Sequence, residues 1–153
     1  MYDRILVPVD GSSTSSKGVA QAIAMAKLTG GTIKLLHAFE LPPLAIGTDT
    51  ALMRGEDIYN VARDAGQNVL AQAAAVVKAA GVPVEQKLVD ADGKRLCEQV
   101  ADAALAWNAS LIVVGSHGRR GLRRLLLGSD AEQILRTSTV PVLLVRDDEP
   151  QTA

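Results

Sequence analysis

Short uninterrupted apolar runs alternate along this chain with stretches whose apolar residues recur every three or four positions. Ile5–Val9 is the first run and stops at Asp10-Gly11. Ser12–Ser16 then offers several helix N-caps, because a hydroxyl there accepts from a free amide of the first turn. Val19, Ala20, Ile23, Ala24 and Leu28 follow at helical spacing and predict a first helix, ended by Gly30-Gly31. Thr32–Phe39 reads as a second strand, and Glu40–Gly55, with Pro42, Pro43 and Gly47, as a loop. Ile58, Val61, Ala62, Ala65, Val69, Ala73, Val76 and Val77 predict a long helix that closes at Gly81-Val82-Pro83. Val84–Asp90 is a third strand. Leu96, Val100, Ala103 and Trp107 then predict an amphipathic third helix. Leu111–Gly115 is the fourth strand. Ser129, with Glu132 three residues on, predicts a capping box that opens a short fourth helix. Val140–Arg146 is the fifth strand.

Strands that read as continuous apolar runs, alternating with helices, are the signature of an α/β fold with a parallel sheet covered on both faces. Right-handed crossovers limit how such a sheet is wound. The expected architecture is a single-domain, doubly wound, five-stranded parallel sheet over residues 1–146, with 147–153 as a flexible C-terminal tail. A length of 153 residues suits one well-buried core. Composition changes this picture only by exclusion. A formal net charge of -1 and an aromatic content of 3% argue against a nucleic-acid surface. Apolar runs too short to span a bilayer predict no membrane insertion, and nothing reads as a signal peptide, so the expected location is cytoplasmic. A lone cysteine, Cys97, excludes an intramolecular disulfide and a cysteine-cluster zinc site. On the third helix Cys97 reads as a small buried or boundary residue and Trp107 as core.

The chemistry concentrates after the fourth strand. Gly115, Gly118, Gly128 and Ser129 stand as G-S-H-G, nine residues, then G-S. Closely spaced glycines after a strand let a phosphate approach the main chain, and the free amides of the following helix start donate to an anion. The stretch is neither a Walker A loop nor G-x-G-x-x-G. In an open parallel sheet, ligands sit beyond the carboxyl ends of the strands where the strand order reverses. If the first and fourth strands are neighbours there, Asp10 and the glycine stretch share one crevice.

These residues resemble the universal stress protein family, in its ATP-binding subclass. That family's motif is G-2x-G-9x-G-[ST], and Gly115, Gly118, Gly128 and Ser129 match every fixed position. Ile5–Ser12 and Val140–Val145 resemble the family's first strand with its turn and its last strand, so the likeness covers about residues 3–146. The resemblance implies strand order 3-2-1-4-5 and ATP between strands one and four. It implies a site containing Pro8 and Val9, with Val9 and the backbone of Ala38 bordering the adenine. Asp10 would contact the ribose or a phosphate-bound magnesium. Gly115, Ser116, His117, Gly118 and Arg119 would wrap the phosphates, and Gly128 with Ser129 would donate to them. Asp130 and Ala131 follow in the first helical turn, where the charge of Asp130 and Glu132 suits the helix dipole but repels an anion.

Arg119 is the phosphate candidate of a basic run whose other members, Arg120, Arg123 and Arg124, add positive potential. His37 reads as a core or boundary residue, and His117 as a contributor through its backbone amide. Asp90 reads as a turn residue away from the reversal. The fifth strand is an apolar edge that invites a homodimer through Val140–Val145. The expected function is an ATP-binding stress-response regulator with slow or no hydrolysis. The alternatives are a metal-dependent ATPase or phosphoryl or nucleotidyl transferase using Asp10, and a dimerisation domain with an empty turn.

Overall fold

The computed structural model describes residues 1–41, 55–117 and 127–147. Along the chain these form β1 (Arg4–Pro8), α1 (Ser13–Thr29), β2 (Thr32–Phe39), α2 (Gly55–Ala79) and β3 (Val84–Asp90). They continue with α3 (Leu96–Trp107), β4 (Leu111–Gly115), α4 (Ser129–Thr137) and β5 (Val142–Val145). The five strands make one parallel sheet in the order β3-β2-β1-β4-β5. β1 therefore lies between β2 and β4, and the winding reverses on either side of it.

The unbroken apolar runs are explained by the two covered faces. Successive side chains of a strand point to opposite sides, so Ile5, Val7, Ile33 and Leu35 pack beneath α1 and α2. Leu6, Leu36, Ile112 and Val114 pack beneath α3 and α4. Ile5, Leu6, Ile33, Leu35 and Leu36 have no exposed surface, and each such side chain stabilises the fold by about 1.5–3 kcal/mol. Among the described residues, no helix is long and apolar enough to cross a membrane.

Two local expectations are corrected, at the starts of α4 and β5. The buried face of α1 is Thr14, Ser15, Gly18, Val19, Ala22 and Ala26, and Ala20, Ala24 and Leu28 lie outside it. Leu28 is 84% exposed. Small residues face the sheet because α1 lies close on it: a Cβ at Gly18 would sit 3.7 Å from the Gly115 amide nitrogen. In α4 the N-cap is Gly128, not Ser129, and the Glu132 carboxylate pairs with Arg136 at 2.8 Å instead of reaching back. β5 starts at Val142 because the Val140 amide donates to Ser138 Oγ at 3.1 Å and Pro141 has no N–H. Asp147, where the expected tail begins, accepts from Ser13 Oγ at 3.3 Å and pairs with Lys17.

At the N-terminal ends of the strands, Trp107 is 7% exposed. The Arg4 guanidinium lies 4.5 Å and the Lys34 ammonium 4.8 Å from its ring centroid, placements that a negative ring face favours. Glu85 pairs with Lys34 at 2.9 Å across the β2–β3 ladder. The Lys34 hydrogen bond, helped by Trp107, holds the Glu85 carboxyl below its usual value. A depressed carboxyl contributes stability above the ordinary Glu range, and that stability is lost as pH falls through the lowered value. Because the Glu85 side chain is 51% exposed, the contribution is held to about 0–1 kcal/mol. Glu85→Gln should therefore lower the urea midpoint slightly at pH 7 and leave it unchanged in acid; an equal loss at both would contradict the pairing.

Candidate functional site

At the carboxyl ends of β1 and β4 a cleft of about 360 Å³ opens at the reversal of the sheet. Its floor is the exit of β1. The Val9 amide donates to Leu36 O at 2.8 Å, which carries the ladder one residue past the strand. The chain then turns sharply through Asp10-Gly11. Asp10 Oδ1 accepts from the Ser12 amide at 2.8 Å, and the Asp10 amide donates to Ser15 Oγ at 3.2 Å. Ser12, not Asp10, caps α1, accepting from the Ser15 amide at 3.2 Å. The Asp10 carboxylate is thus fixed at the cleft wall by the turn that starts the helix.

The β4–α4 side is built on Ser116. Its amide donates to Val145 O at 2.8 Å, extending the pairing with β5. Its carbonyl accepts from the Gly128 amide at 2.7 Å, and its hydroxyl lies 2.9 Å from His117 Nδ1. Two glycines are needed for this closure before any ligand is considered. A Cβ at Gly115 would stand 2.8 Å from Thr14 Cγ2 and 3.1 Å from Thr14 backbone atoms; one at Gly128 would stand 3.0 Å from Ser116 O. The Gly128 amide is committed to Ser116, which leaves the amides of Ser129, Asp130 and Ala131 at this helix start. These open α4 and have no intrahelical acceptor. Intrahelical bonding resumes with the Glu132 amide on Gly128 O at 3.0 Å.

The structure brings Pro8, Val9, Asp10, Ala38, Gly115, His117, Gly128, Ser129, Asp130 and Ala131 to this one cleft. Ser116 is 2% exposed and sits behind the wall, holding it together. Gly118 and Arg119, with Arg120, Arg123 and Arg124, lie outside the described residues. Glu132 turns away to Arg136, which leaves Asp130 as the carboxylate of the helix start that borders the cleft. Asp90 closes a turn, accepting from the Asp92 amide at 3.1 Å.

Sequence reasoning missed the contributions of Ser15, His37, Glu40, Ala91, Lys94, Leu96 and Val114. His37 carried a signal, being one of two histidines near a strand end. Its Nδ1 lies 2.7 Å from Val9 O; a carbonyl only accepts, so Nδ1 carries the proton. Among the described residues, no group of three or more His, Cys, Asp or Glu could hold a metal. Asp10 alone fits a magnesium ion that is bound chiefly through phosphate oxygens and water, the usual arrangement for that cation.

The profile of the universal stress protein family matches residues 1–146. A universal stress protein of Bacillus subtilis, YxiE, is 30% identical over 151 residues, covering 95% of this chain and 100% of the relative. A solved member of the universal stress protein family from Burkholderia pseudomallei superposes with a TM-score of 0.75 at 28% identity, over 95% of this chain and 97% of that one. A universal stress protein crystallised in complex with cAMP superposes with a TM-score of 0.66 at 25% identity, over 95% and 97%.

Proposed function

The chain belongs to the universal stress protein family, and from that premise we propose that it is an ATP-binding regulatory protein of the stress response, working in the cytoplasm as a homodimer. The observation that carries the reading is the cleft at the sheet reversal, where the free amides of α4 and the Asp10 carboxylate converge. Amides at a helix start favour a phosphate through both hydrogen bonds and the helix dipole. The cAMP complex of a relative supports an adenine nucleotide as the ligand class. Val9 and Ala38 supply apolar surface and main-chain groups for the base. Ser129, Asp130 and Ala131 supply amides for phosphate, with Gly115, His117, Gly118 and Arg119 beside them, while Ser116, its amide held by Val145 O, supports the wall from behind. A magnesium ion bridging the phosphates would be held with Asp10 and would neutralise their charge.

The dimer is proposed through the β5 edge. Val142, Leu143 and Leu144 are only half-buried there, and an edge strand with apolar side chains pairs readily with a second copy. Hydrolysis is expected to be slow or absent. The chain has no Walker lysine, and fast phosphoryl transfer needs positioned charge on the γ-phosphate and an oriented nucleophile. Lys94 borders the cleft, but its ammonium is 3.4 Å from Asp102.

Denaturing freshly purified protein and identifying what it releases, followed by calorimetry with ATP and magnesium on the refolded chain, tests the reading. Release of ATP or ADP and saturable binding are expected. No released nucleotide and no heat at millimolar ATP would overturn it. The presence of Asp10 in the cleft gives the enzymatic alternative a separate test: multiple-turnover phosphate release that disappears in Asp10→Ala would replace the regulator with an ATPase.

A further inference from the structure

We infer that the His117 imidazole is a phosphate contact in this cleft, which makes nucleotide binding proton-linked. The inference rests on the nucleotide reading above and adds a side chain to it where that reading used only an amide. His117 lines the cleft. Its Nδ1 is taken up by Ser116 Oγ at 2.9 Å. Its Nε2 is a buried side-chain polar atom with no hydrogen-bond partner. A buried polar atom left unpaired is costly and rarely tolerated without a reason. A phosphate on the neighbouring α4 amides is a group of the right kind to pair it.

Phosphate oxygens above neutral pH only accept, so Nε2 must carry the proton. A hydroxyl can donate or accept, so Ser116 permits either the neutral tautomer with Nε2–H or the imidazolium. Charged groups from several elements border the cleft. Asp10 from the β1–α1 turn, Glu40 beyond β2 and Asp130 from α4 face the cleft, against Lys94 from the β3–α3 connection. His37 contributes from β2 with its Nδ1 proton fixed on Val9 O. Beyond β5, Arg146 is followed by Asp147, whose carboxylate is spent on α1. Among the described residues the cleft carries three carboxylates and one lysine, and an imidazolium at His117 would add a positive charge beside a bound anion. Histidine is the side chain that takes up a proton between about pH 5 and 8, and an imidazolium on phosphate makes a charge-assisted hydrogen bond.

The test is ATP affinity by calorimetry from pH 6 to pH 8, for the natural chain, His117→Gln and His37→Gln. ATP's own terminal phosphate titrates in this range, and it cancels in the ratio of variant to natural Kd. For His117→Gln that ratio should be about tenfold at pH 6, the scale of one charge-assisted bond, and fall toward one at pH 8. For His37→Gln it should stay level. Repeating the natural chain in buffers of different ionisation enthalpy should reveal proton uptake on binding. A His117→Gln ratio that is level across the range, or a slope that moves to His37→Gln, overturns the assignment while leaving ATP binding intact. Failure of the natural chain to bind ATP at any pH overturns both. If His117→Gln does not fold, nitrogen NMR of the natural chain decides. His117 Nε2 should become protonated on adding ATP, and an unchanged resonance refutes the contact.

Discussion

Gly128→Val is expected to weaken ATP binding by on the order of a hundredfold while leaving the fold in place. The backbone at Gly128 has φ -60 and ψ 146, an extended conformation open to any residue, so the cost is steric and not torsional. A Cβ there meets Ser116 O at 3.0 Å, against the very carbonyl that the Gly128 amide binds at 2.7 Å. Valine must open that closure. Opening it moves the first turn of α4 and the Ser129–Ala131 amides with it. Two displaced hydrogen bonds to a charged group, at about 1.5 kcal/mol or more each, amount to roughly two decades of affinity. The helix itself stays anchored by Ala131 and Ile134, which are 3% and 1% exposed. Calorimetry with ATP, beside a circular dichroism melt, reads both halves. Undiminished affinity in a folded variant would remove the α4 amides from the site.

Gly115→Val carries the largest stability effect. Its Cβ would stand 2.8 Å from Thr14 Cγ2 and 3.1 Å from the Thr14 backbone. α1 cannot simply withdraw, because Ser12 caps it beside the cleft and Lys17 and Ser13 tie it to Asp147. Overpacking of this kind costs about 1–3 kcal/mol. Urea denaturation should show a lower midpoint at unchanged slope. Adding Thr14→Ala should restore part of the loss, since it removes Cγ2 but not the backbone contact. Strict additivity of the two substitutions would show that they do not touch.

Much of this architecture was legible in the residues because the sheet is buried on both sides. Runs such as Ile5–Val9 and Leu111–Val114 have no polar break, and only a parallel sheet between two helical layers requires that. The site was legible where local chemistry defines it: Asp10-Gly11 after β1, and Gly115 and Gly128 around β4 and α4. The buried face of α1 was not legible from its apolar residues, for a physical reason. Large apolar residues normally mark the buried stripe, but here α1 lies so near β4 that Ser15, Gly18 and Ala22 fill the contact and Leu28 is left outside. Ser129-x-x-Glu132 has the letters of a capping box, yet Ser116 draws Gly128 into the cap and Arg136 takes the Glu132 carboxylate. Glu40, Ala91 and Lys94 reach the cleft only because strands distant in sequence end side by side, which no local pattern records.

Trp107 is the chain's one tryptophan, and it lies among Arg4, Lys34 and Glu85 at the ends of the strands where they begin, across the molecule from where they finish. Its ultraviolet emission therefore has a single informant's role. It will register the collapse of the whole sheet when denaturant exposes the indole to solvent, and it will stay silent when the far end fills or empties.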